Sequence, residues 1–441
     1  MNTQIGMISL GCSKNQVDAE KLLEILRCDG FEISGDIENC DVIIVNTCGF
    51  IEDAKKESIE HIMEAAQYKE NGTAQVLVVT GCLAERYREE LANEMPEVDV
   101  VLGIGKNADI ADAVRRALGG ETVISFGEKE ALHLEGGRVL TTAPYTAYLK
   151  VAEGCGNRCS YCAIPLIRGD FRSRKMEDII AEAASLAEGG VTELNLVAQD
   201  TTRYGEDLYG NLRLPELLTK LCGIEKLHWI RVLYCYPKRV TPELLRVMAS
   251  EPKIVPYMDM PVQHSSGRIL AAMNRSGDAE QLAGLIGDIR RVIPNITLRT
   301  TIITGFPGET ERDFEELCEF VKAMKFDRLG CFTYSQEEDT PAAEMTEQID
   351  EDVKRRRAEI IMETQMNIAL EKGKSMIGET PEVLCEGFDR DENMWYGRSA
   401  ADAPDVDTKV YFVTESKVSP GEYVQIKISD CSEYDLIGDR V

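Results

Sequence analysis

No apolar run in this sequence reaches the roughly 18–20 residues that a bilayer span requires, so no membrane association is expected. The first residues, MNTQIGMISLGC, lack a basic flank followed by a long apolar segment; they read as a first strand and not as a secretory signal. There is no low-complexity tract, and no internal repeat that alters the division of the chain. Basic residues are in deficit: 49 Lys and Arg stand against 77 Asp and Glu, a formal net charge of −28. Such a field repels nucleic acid phosphates and attracts basic partners, although solubility alone is the plainer explanation. What remains is a soluble globular composition, 44% hydrophobic and 29% charged. A chain of 441 residues has room for two or three domains, each with its own core. A cytoplasmic location is the default expectation.

The patterning divides the chain into three. Within residues 1–130, IGMISLGC, DVIIVNTCGF, QVLVVTGC and VDVVLGIG are short, near-continuous apolar runs of the kind that buried parallel strands show. Amphipathic stretches such as VDAEKLLEILRCDG lie between them, which predicts an open parallel α/β sheet with right-handed crossovers. A turn-rich connection follows at about 127–145. Residues 140–370 hold six further strand candidates, AYLKVAEGC, ELNLVAQD, WIRVLYCYP, YMDMPVQH, TLRTTIITGF and RLGCFTYS, alternating with helical patterns. This predicts a partial (β/α) barrel with active residues at the carboxyl ends of its strands. Residues 373–441 change to short alternating runs with turn residues, predicting a small antiparallel β-barrel.

The 14 cysteines carry the chemistry. In a long, Cys-dilute chain without a signal they point to metal binding or catalysis and not to a disulfide scaffold. Cys155, Cys159 and Cys162 form a C-x3-C-x2-C run directly after a strand candidate. Three thiolates on one loop suit three irons of a cubane cluster and leave the fourth iron free to bind a substrate. A structural zinc site is the alternative, but it wants a fourth Cys or His close by, and the next His is His228. A second trio is dispersed: Cys12, Cys48 and Cys82 each end a predicted N-terminal strand. Strand ends of an open parallel sheet share one edge, so the three should converge there, with Gly11, Gly49 and Gly81 permitting close approach of a bulky cofactor. The alternative is ordinary core cysteines, the reading adopted for Cys28, Cys40, Cys222, Cys235, Cys318, Cys331, Cys385 and Cys431.

The C-x3-C-x2-C run followed by Ala163-Ile164-Pro165 and Arg168-Gly169 resembles the radical S-adenosylmethionine (SAM) superfamily. Two three-cysteine sites and a trailing β-barrel of TRAM type resemble the radical SAM methylthiotransferases over nearly the whole chain. The resemblance implies two 4Fe-4S clusters, held by Cys155, Cys159 and Cys162 and by Cys12, Cys48 and Cys82. It also implies SAM in two parts, as source of a 5′-deoxyadenosyl radical and as methyl donor to the sulfur. NTCGFIEDAKKESIEHI, CAIPLIRGDFRSR, AQDTTRYGEDLY and GRSAADAPDVD look like the ribosomal-protein branch (RimO-like). The transfer RNA branch (MiaB-like) usually has Gln and Met after the first cysteine and GQNVNSY at the second barrel strand. Here Ser13-Lys14-Asn15 and Gln199–Tyr204 stand instead, and the ribosomal-protein branch usually has Pro where this chain has Ser13.

The implied activity is insertion of a methylthio group at an aspartate β-carbon of small-subunit protein twelve, giving 3-methylthioaspartate. A transfer RNA adenosine methylthiotransferase is the alternative, and an iron–sulfur electron carrier a third. From Lys372 onward 8 basic residues face 15 acidic ones, which suits a basic ribosomal protein better than phosphates. A low-potential electron donor such as flavodoxin or ferredoxin and a sulfur donor complete the expected partners. Candidates for the SAM site are Gln199, Asp200, Gln263, His264, Arg299, Gly305 and Glu309, each with a duller alternative as an ion-pair partner, a turn or a core imidazole. Arg172–Arg174 is open between a functional and a solvated basic patch.

Overall fold

In the computed structural model, which describes residues 3–441, the apolar runs of the first third become a six-stranded parallel sheet. Its strands are β1 (Gln4–Ser9), β2 (Glu32–Ile33), β3 (Val42–Thr47), β4 (Val76–Gly81), β5 (Val100–Leu102) and β6 (Val123–Ser125), in spatial order β2-β1-β3-β4-β5-β6. β3 and β4 are buried at every residue, which explains why they read as continuous apolar runs. Val42, Ile44, Val76 and Val78 face one layer, packed with Leu22 and Leu26 of α1 (Ser13–Cys28). The alternate residues Ile43, Val45, Leu77 and Val79 face the other, with Ile62 of α2 (Glu52–Asn71) and Leu91 of α3 (Cys82–Glu94). A further helix, α4 (Ile110–Leu118), joins α1 on the first layer. β2 and β6 match none of the four apolar runs: at two and three residues on the sheet edges, they carry no readable period.

The central segment begins with β7 (Thr146–Lys150) and a short antiparallel pair, β8 (Ala152–Glu153) and β9 (Arg172–Ser173), which brackets the helix α5 (Ile164–Arg168). Then come β10 (Glu193–Val197), β11 (Trp229–Val232), β12 (Ile254–Asp259), β13 (Thr297–Thr304) and β14 (Arg328–Thr333). All pair in parallel in the order β14-β13-β12-β11-β10-β7, an open barrel of six strands, as the six runs predict. Arg172–Arg174 is not a solvated patch. Arg174 is buried, donating to Lys150 O at 2.7 Å and pairing with Glu182 at 2.7 Å, while Arg172 donates to Lys129 O at 3.1 Å.

Helix Glu351–Ser375 lays one stripe (Lys354, Arg357, Ile361, Gln365, Ile368) inward and leads to the last segment. There β15 (Glu382–Asp389), β16 (Met394–Ser399), β17 (Val410–Val413), β18 (Tyr423–Cys431) and β19 (Leu436–Arg440) close a barrel in the order β15-β16-β17-β19-β18. β19 is the unexpected strand; it pairs in parallel with β17 and antiparallel with β18, so it supplies the closure. Of the eight remaining cysteines, Cys28 lies exposed at the end of α1 and so departs from the core assignment. No helix among the described residues is long and apolar enough to cross a membrane.

The inner face of the open barrel carries polar side chains that hold the connection between β16 and β17. Arg231 of β11 donates to Ala400 O (2.8 Å), Arg328 of β14 pairs with Asp402 (2.6 Å), and Tyr148 of β7 donates to Asp405 (3.0 Å). Asp407 accepts from Tyr257 of β12 (2.5 Å) and pairs with Arg299 of β13 (3.2 Å). At the base of the connection Arg398 grips Glu193 of β10 through bonds of 2.7 and 3.0 Å. Five of the six strands therefore hold this one acidic segment directly, and β10 holds the strand that leads into it. Burial alone would raise the Glu193 carboxyl, but Arg398 and Arg231 beside it hold it at about 2, below the ordinary 4.5. Glu193→Ala strands two buried guanidinium groups and should cost about 3–5 kcal/mol, read as a lowered Tm at neutral pH. The pair contributes fully above about pH 4.5 and fades as pH falls towards 2, so the gap between variant and parent should narrow over that window. An unchanged Tm at neutral pH would contradict this.

Candidate functional site

β1, β3 and β4 are neighbours in the sheet, so parallel pairing sets their carboxyl ends side by side. Each end carries one of the dispersed cysteines. Cys12 caps the start of α1, Cys48 follows the last residue of β3, and Cys82 is the first residue of α3. The neighbouring glycines let the ends converge. Gly11 has φ +86°, and a Cβ there would lie 2.8 Å from Cys48 Cβ and 2.9 Å from its Sγ. A Cβ on Gly49 would lie 2.8 Å from Leu83 Cα and 3.0 Å from the carbonyl carbon of Cys82. Polar side chains then pin the loops: Thr47 Oγ1 donates to Thr80 O (2.6 Å) and accepts from Leu83 N (3.2 Å). Ser58 Oγ accepts from Cys48 N (3.0 Å) and donates to Cys48 O (2.8 Å).

The three thiols differ electrically. Burial, then the adjacent Cys82 sulfur, pushes Cys48 up to about 12. Burial also raises Cys82, against the opposing charge of Arg168. For Cys12 burial acts in the same sense, but the Lys14 and Arg168 charges outweigh it and hold the thiol below its ordinary value. Cys12 is also the most solvent-accessible residue of the trio.

The second trio sits on the loop between β8 and α5. Cys155 N donates to Gly169 O (3.1 Å), Ser160 N to Met273 O (3.0 Å) and Cys162 N to Cys159 O (3.0 Å). Asn274 Nδ2 donates to Arg158 O (2.8 Å), the residue that turns the loop at φ +49°. Burial pushes Cys155 up to about 11 and Cys162 up to about 12, and the sulfurs beside them add to it. Thiols this reluctant to ionise become ligands once a cation compensates them. Among the described residues no three His, Cys, Asp or Glu converge on a single-ion position. A cubane takes one thiolate per iron. The all-sulfur donor set of each trio fits the cubane.

The structure divides the SAM-site candidates. Gln199 and Gln263 stand past the carboxyl ends of their strands with buried amide oxygens that have no partner within the chain. Gln263 holds φ +70°, a strained conformation for a non-glycine residue. His264 is fully buried; its Nδ1 accepts from Ser266 N (2.9 Å) and its Nε2 has no hydrogen-bond partner, 3.5 Å from Glu309. The others are engaged elsewhere. Asp200 is held by Asn157 (2.8 Å), Thr202 (2.6 Å) and Arg239 (2.9 Å), and so buttresses the cysteine loop. Arg299 pairs with Asp407 and, at 3.5 Å, with Asp259. Glu309 accepts from Gly305 N (2.9 Å) and Arg357 (2.7 Å), and a side chain on Gly305 would strike Lys354.

Sequence reasoning named Arg168 only as part of a motif and missed the other residues between the two trios. Arg168, Asp18, Lys150 and Glu153 are all buried. Arg168 Nη1 bonds Asp18 and lies 3.5 Å from Glu153, while Nη2 donates to Asn15 Oδ1 (2.9 Å) and to Cys82 Sγ (3.2 Å). Lys150 bonds Asp18 and Glu153, the latter at 2.6 Å. A signal existed: Asn15 and Asp18 are polar residues three apart on a helix that starts at a candidate ligand.

Three family descriptions match successive parts of the chain: uncharacterized protein family UPF0004 over residues 4–103, the radical SAM superfamily over 149–321, and the TRAM domain over 377–441. Proteins named ribosomal protein uS12 methylthiotransferase RimO are similar from end to end. That of Pelotomaculum thermopropionicum is 52% identical over 443 residues, covering 100% of both chains. That of Lachnoclostridium phytofermentans is 49% identical over 436 residues, 99% of each. Among solved structures, the radical S-adenosylmethionine methyltransferase TsrM from Kitasatospora setae, with cobalamin and a 4Fe-4S cluster bound, superposes with TM-score 0.59 at 13% identity. The match covers 86% of this chain and 79% of that one, and shares the fold.

The depressed, exposed Cys12 thiol and the raised Cys48 thiol give a direct expectation. In metal-free protein at neutral pH, iodoacetamide should modify Cys12 at least about ten-fold faster than Cys48, because only the thiolate reacts. Peptide mass mapping reads the two rates, and equal rates would contradict the electrostatics described.

Proposed function

This chain belongs to the family of ribosomal protein uS12 methylthiotransferases, and we propose that it inserts a methylthio group at the β-carbon of an aspartate of uS12, giving 3-methylthioaspartate. The observation that carries this reading is that two separate three-thiol sites lie against one short helix, α5, which starts beside Cys162 and ends with Arg168 on Cys82. Radical SAM enzymes use a 4Fe-4S cluster and SAM; Cys155, Cys159 and Cys162 would hold that cluster, which supplies the electron that cleaves SAM to the 5′-deoxyadenosyl radical. Cys12, Cys48 and Cys82 would hold a second cluster, which would supply a place for the sulfur to be transferred.

The remaining residues provide the setting. The unpartnered amide oxygens of Gln199 and Gln263 are acceptors suited to the ammonium or amino N–H groups of SAM. Asp200, through Asn157 and Arg239, holds the cysteine loop in place. The acidic segment Ala400–Asp407 is held against the inner face of the open barrel by Arg231 and Tyr257. With Asp402, Asp405, Asp407 and Arg398 set aside as paired to the open barrel, 12 acidic residues still face 7 basic ones from Lys372 on, which favours a basic protein substrate over a transfer RNA. A ribosomal substrate and ligand thiols that need a reducing compartment favour the cytoplasm.

A sulfur donor and a low-potential electron donor of flavodoxin or ferredoxin type complete the reaction. A polar cavity of about 370 Å³ beside the loop of Cys155–Cys162 is lined by Lys238, Arg239 and Arg275. These cations, on a chain of net charge −28, suit an acidic electron donor. Lys238→Glu should slow SAM cleavage several-fold more with reduced flavodoxin than with dithionite in the same variant; an equal effect with both would count against this surface.

The function is tested by the mass of uS12 from a strain lacking the gene, which should fall by one methylthio group and recover on complementation. Cys155→Ala should abolish 5′-deoxyadenosine formation, whereas Cys48→Ala should retain it and leave uS12 unmodified. Unchanged uS12 with loss of a methylthio nucleoside from transfer RNA would overturn the assignment.

A further inference from the structure

We infer that Arg168 is a positioning residue that couples the two cysteine sites: its guanidinium, locked by Asp18, Asn15 and Glu153, donates a hydrogen bond to Cys82 sulfur and sets the electronic properties of whatever cluster that sulfur ligates. The inference rests on the proposed reading that Cys12, Cys48 and Cys82 hold an iron–sulfur cluster.

The geometry distinguishes this contact from an ordinary domain-packing ion pair. Arg168 is 2% exposed, and its charge is permanent at any accessible pH. Its ionic needs are met on one side, where Nη1 bonds Asp18 and approaches Glu153. Those two carboxylates are balanced by Arg168 and Lys150, so the quartet is complete without any sulfur. Nη2 nevertheless points away from the quartet, to Asn15 Oδ1 at 2.9 Å and to Cys82 Sγ at 3.2 Å. Asn15 is itself held, its amide donating to Leu10 O (2.8 Å) and Thr47 O (3.2 Å) on the very loops that carry Cys12 and Cys48. The planar fork is thereby aimed at Cys82 by groups of α1 and β8.

The same helix bears the other site. α5 begins two residues after Cys162, spans five residues and ends at Arg168, a length of about 7.5 Å at 1.5 Å per residue. Ala163, its N-cap, and Ile167, both fully buried, pack on Cys82. A shift of the Cys155–Cys162 loop is therefore transmitted to the Cys82 contact through one rigid turn and a half of helix. A charged donor on a ligand sulfur stabilises the reduced, more negative form of a cluster, so its loss lowers the reduction potential.

The test uses the full chain with Cys155, Cys159 and Cys162 all replaced by Ala, reconstituted anaerobically so that only the other trio can hold iron. EPR-monitored redox titration then compares Arg168, Arg168→Lys, Arg168→Gln and Asp18→Asn. The expected result is a lower midpoint potential with Arg168→Gln, a partial return with Arg168→Lys, and a smaller change with Asp18→Asn, which leaves the donor in place. In the otherwise unaltered chain, Arg168→Gln should lose at least ten-fold in methylthio product while retaining 5′-deoxyadenosine formation. Should Arg168→Gln fail to fold or to hold iron, the potential of Arg168→Lys decides between the outcomes, since that variant keeps the charge and loses the aimed fork. An unchanged potential in an iron-replete Arg168 variant overturns the inference. A triple-Ala parent that takes up no iron overturns instead the reading of Cys12, Cys48 and Cys82 as a cluster site.

Discussion

Two cations and two carboxylates, withdrawn from water together, join the two parallel sheets of this protein. Asp18 comes from α1 on the first sheet, Lys150 from β7, Glu153 from β8 and Arg168 from α5, and none is more than 3% exposed. Each such ion carries a desolvation penalty of several kcal/mol that only its partners offset, so the quartet is tolerable only when both sheets are docked. Every member lies close in sequence to a cysteine of interest. α1 starts after Cys12, β8 runs into Cys155, and α5 follows Cys162. The ion pairs that join the sheets therefore also set the positions of the loops on which the chemistry depends.

A second set of ion pairs does similar work from below. The connection between β16 and β17 brings Asp402, Asp405 and Asp407 against the inner face of the open barrel, which carries Arg231, Arg299, Arg328, Tyr148 and Tyr257. A polar barrel interior would be costly if left unpaired, and the acidic segment pairs with it strand by strand. From there the contacts continue upward: Arg299 reaches Asp259, which accepts from Tyr234 N at 3.0 Å, and Lys14, two residues past Cys12, sits over the Tyr234 ring at 3.2 Å. The C-terminal barrel is thus tied physically to the neighbourhood of the dispersed cysteines, although the two are remote in sequence.

Much of this was legible in the chain itself. The central strands of both parallel sheets are apolar throughout because both their faces are covered, and a run of that kind stands out. The strand-end position of Cys12, Cys48 and Cys82 followed from the same pattern, since parallel strands put their carboxyl ends on one edge. β2, β6 and β19 were not legible, because two- to five-residue edge or closing strands owe their form to pairing partners and not to local period. Polar residues were the harder problem. Gln199 and Gln263 looked no different in sequence from Asp200 or Arg299, yet the first two keep free acceptors and the last two are spent on ion pairs. Arg174 read equally well as a solvated cation, and only its burial between Glu182 and Lys150 O decides the matter. Which charged side chain finds which partner across a hundred residues or more is a property of the assembled sheets, and no local pattern encodes it.

The central claim is that each cysteine trio holds its own cubane cluster. Iron and acid-labile sulfide in anaerobically reconstituted protein test it most directly: the account predicts about eight irons per chain, and about four when either trio alone is replaced by alanine. An unaltered chain that saturates at about four irons, or a Cys12, Cys48 and Cys82 replacement that leaves the iron content unchanged, would contradict it.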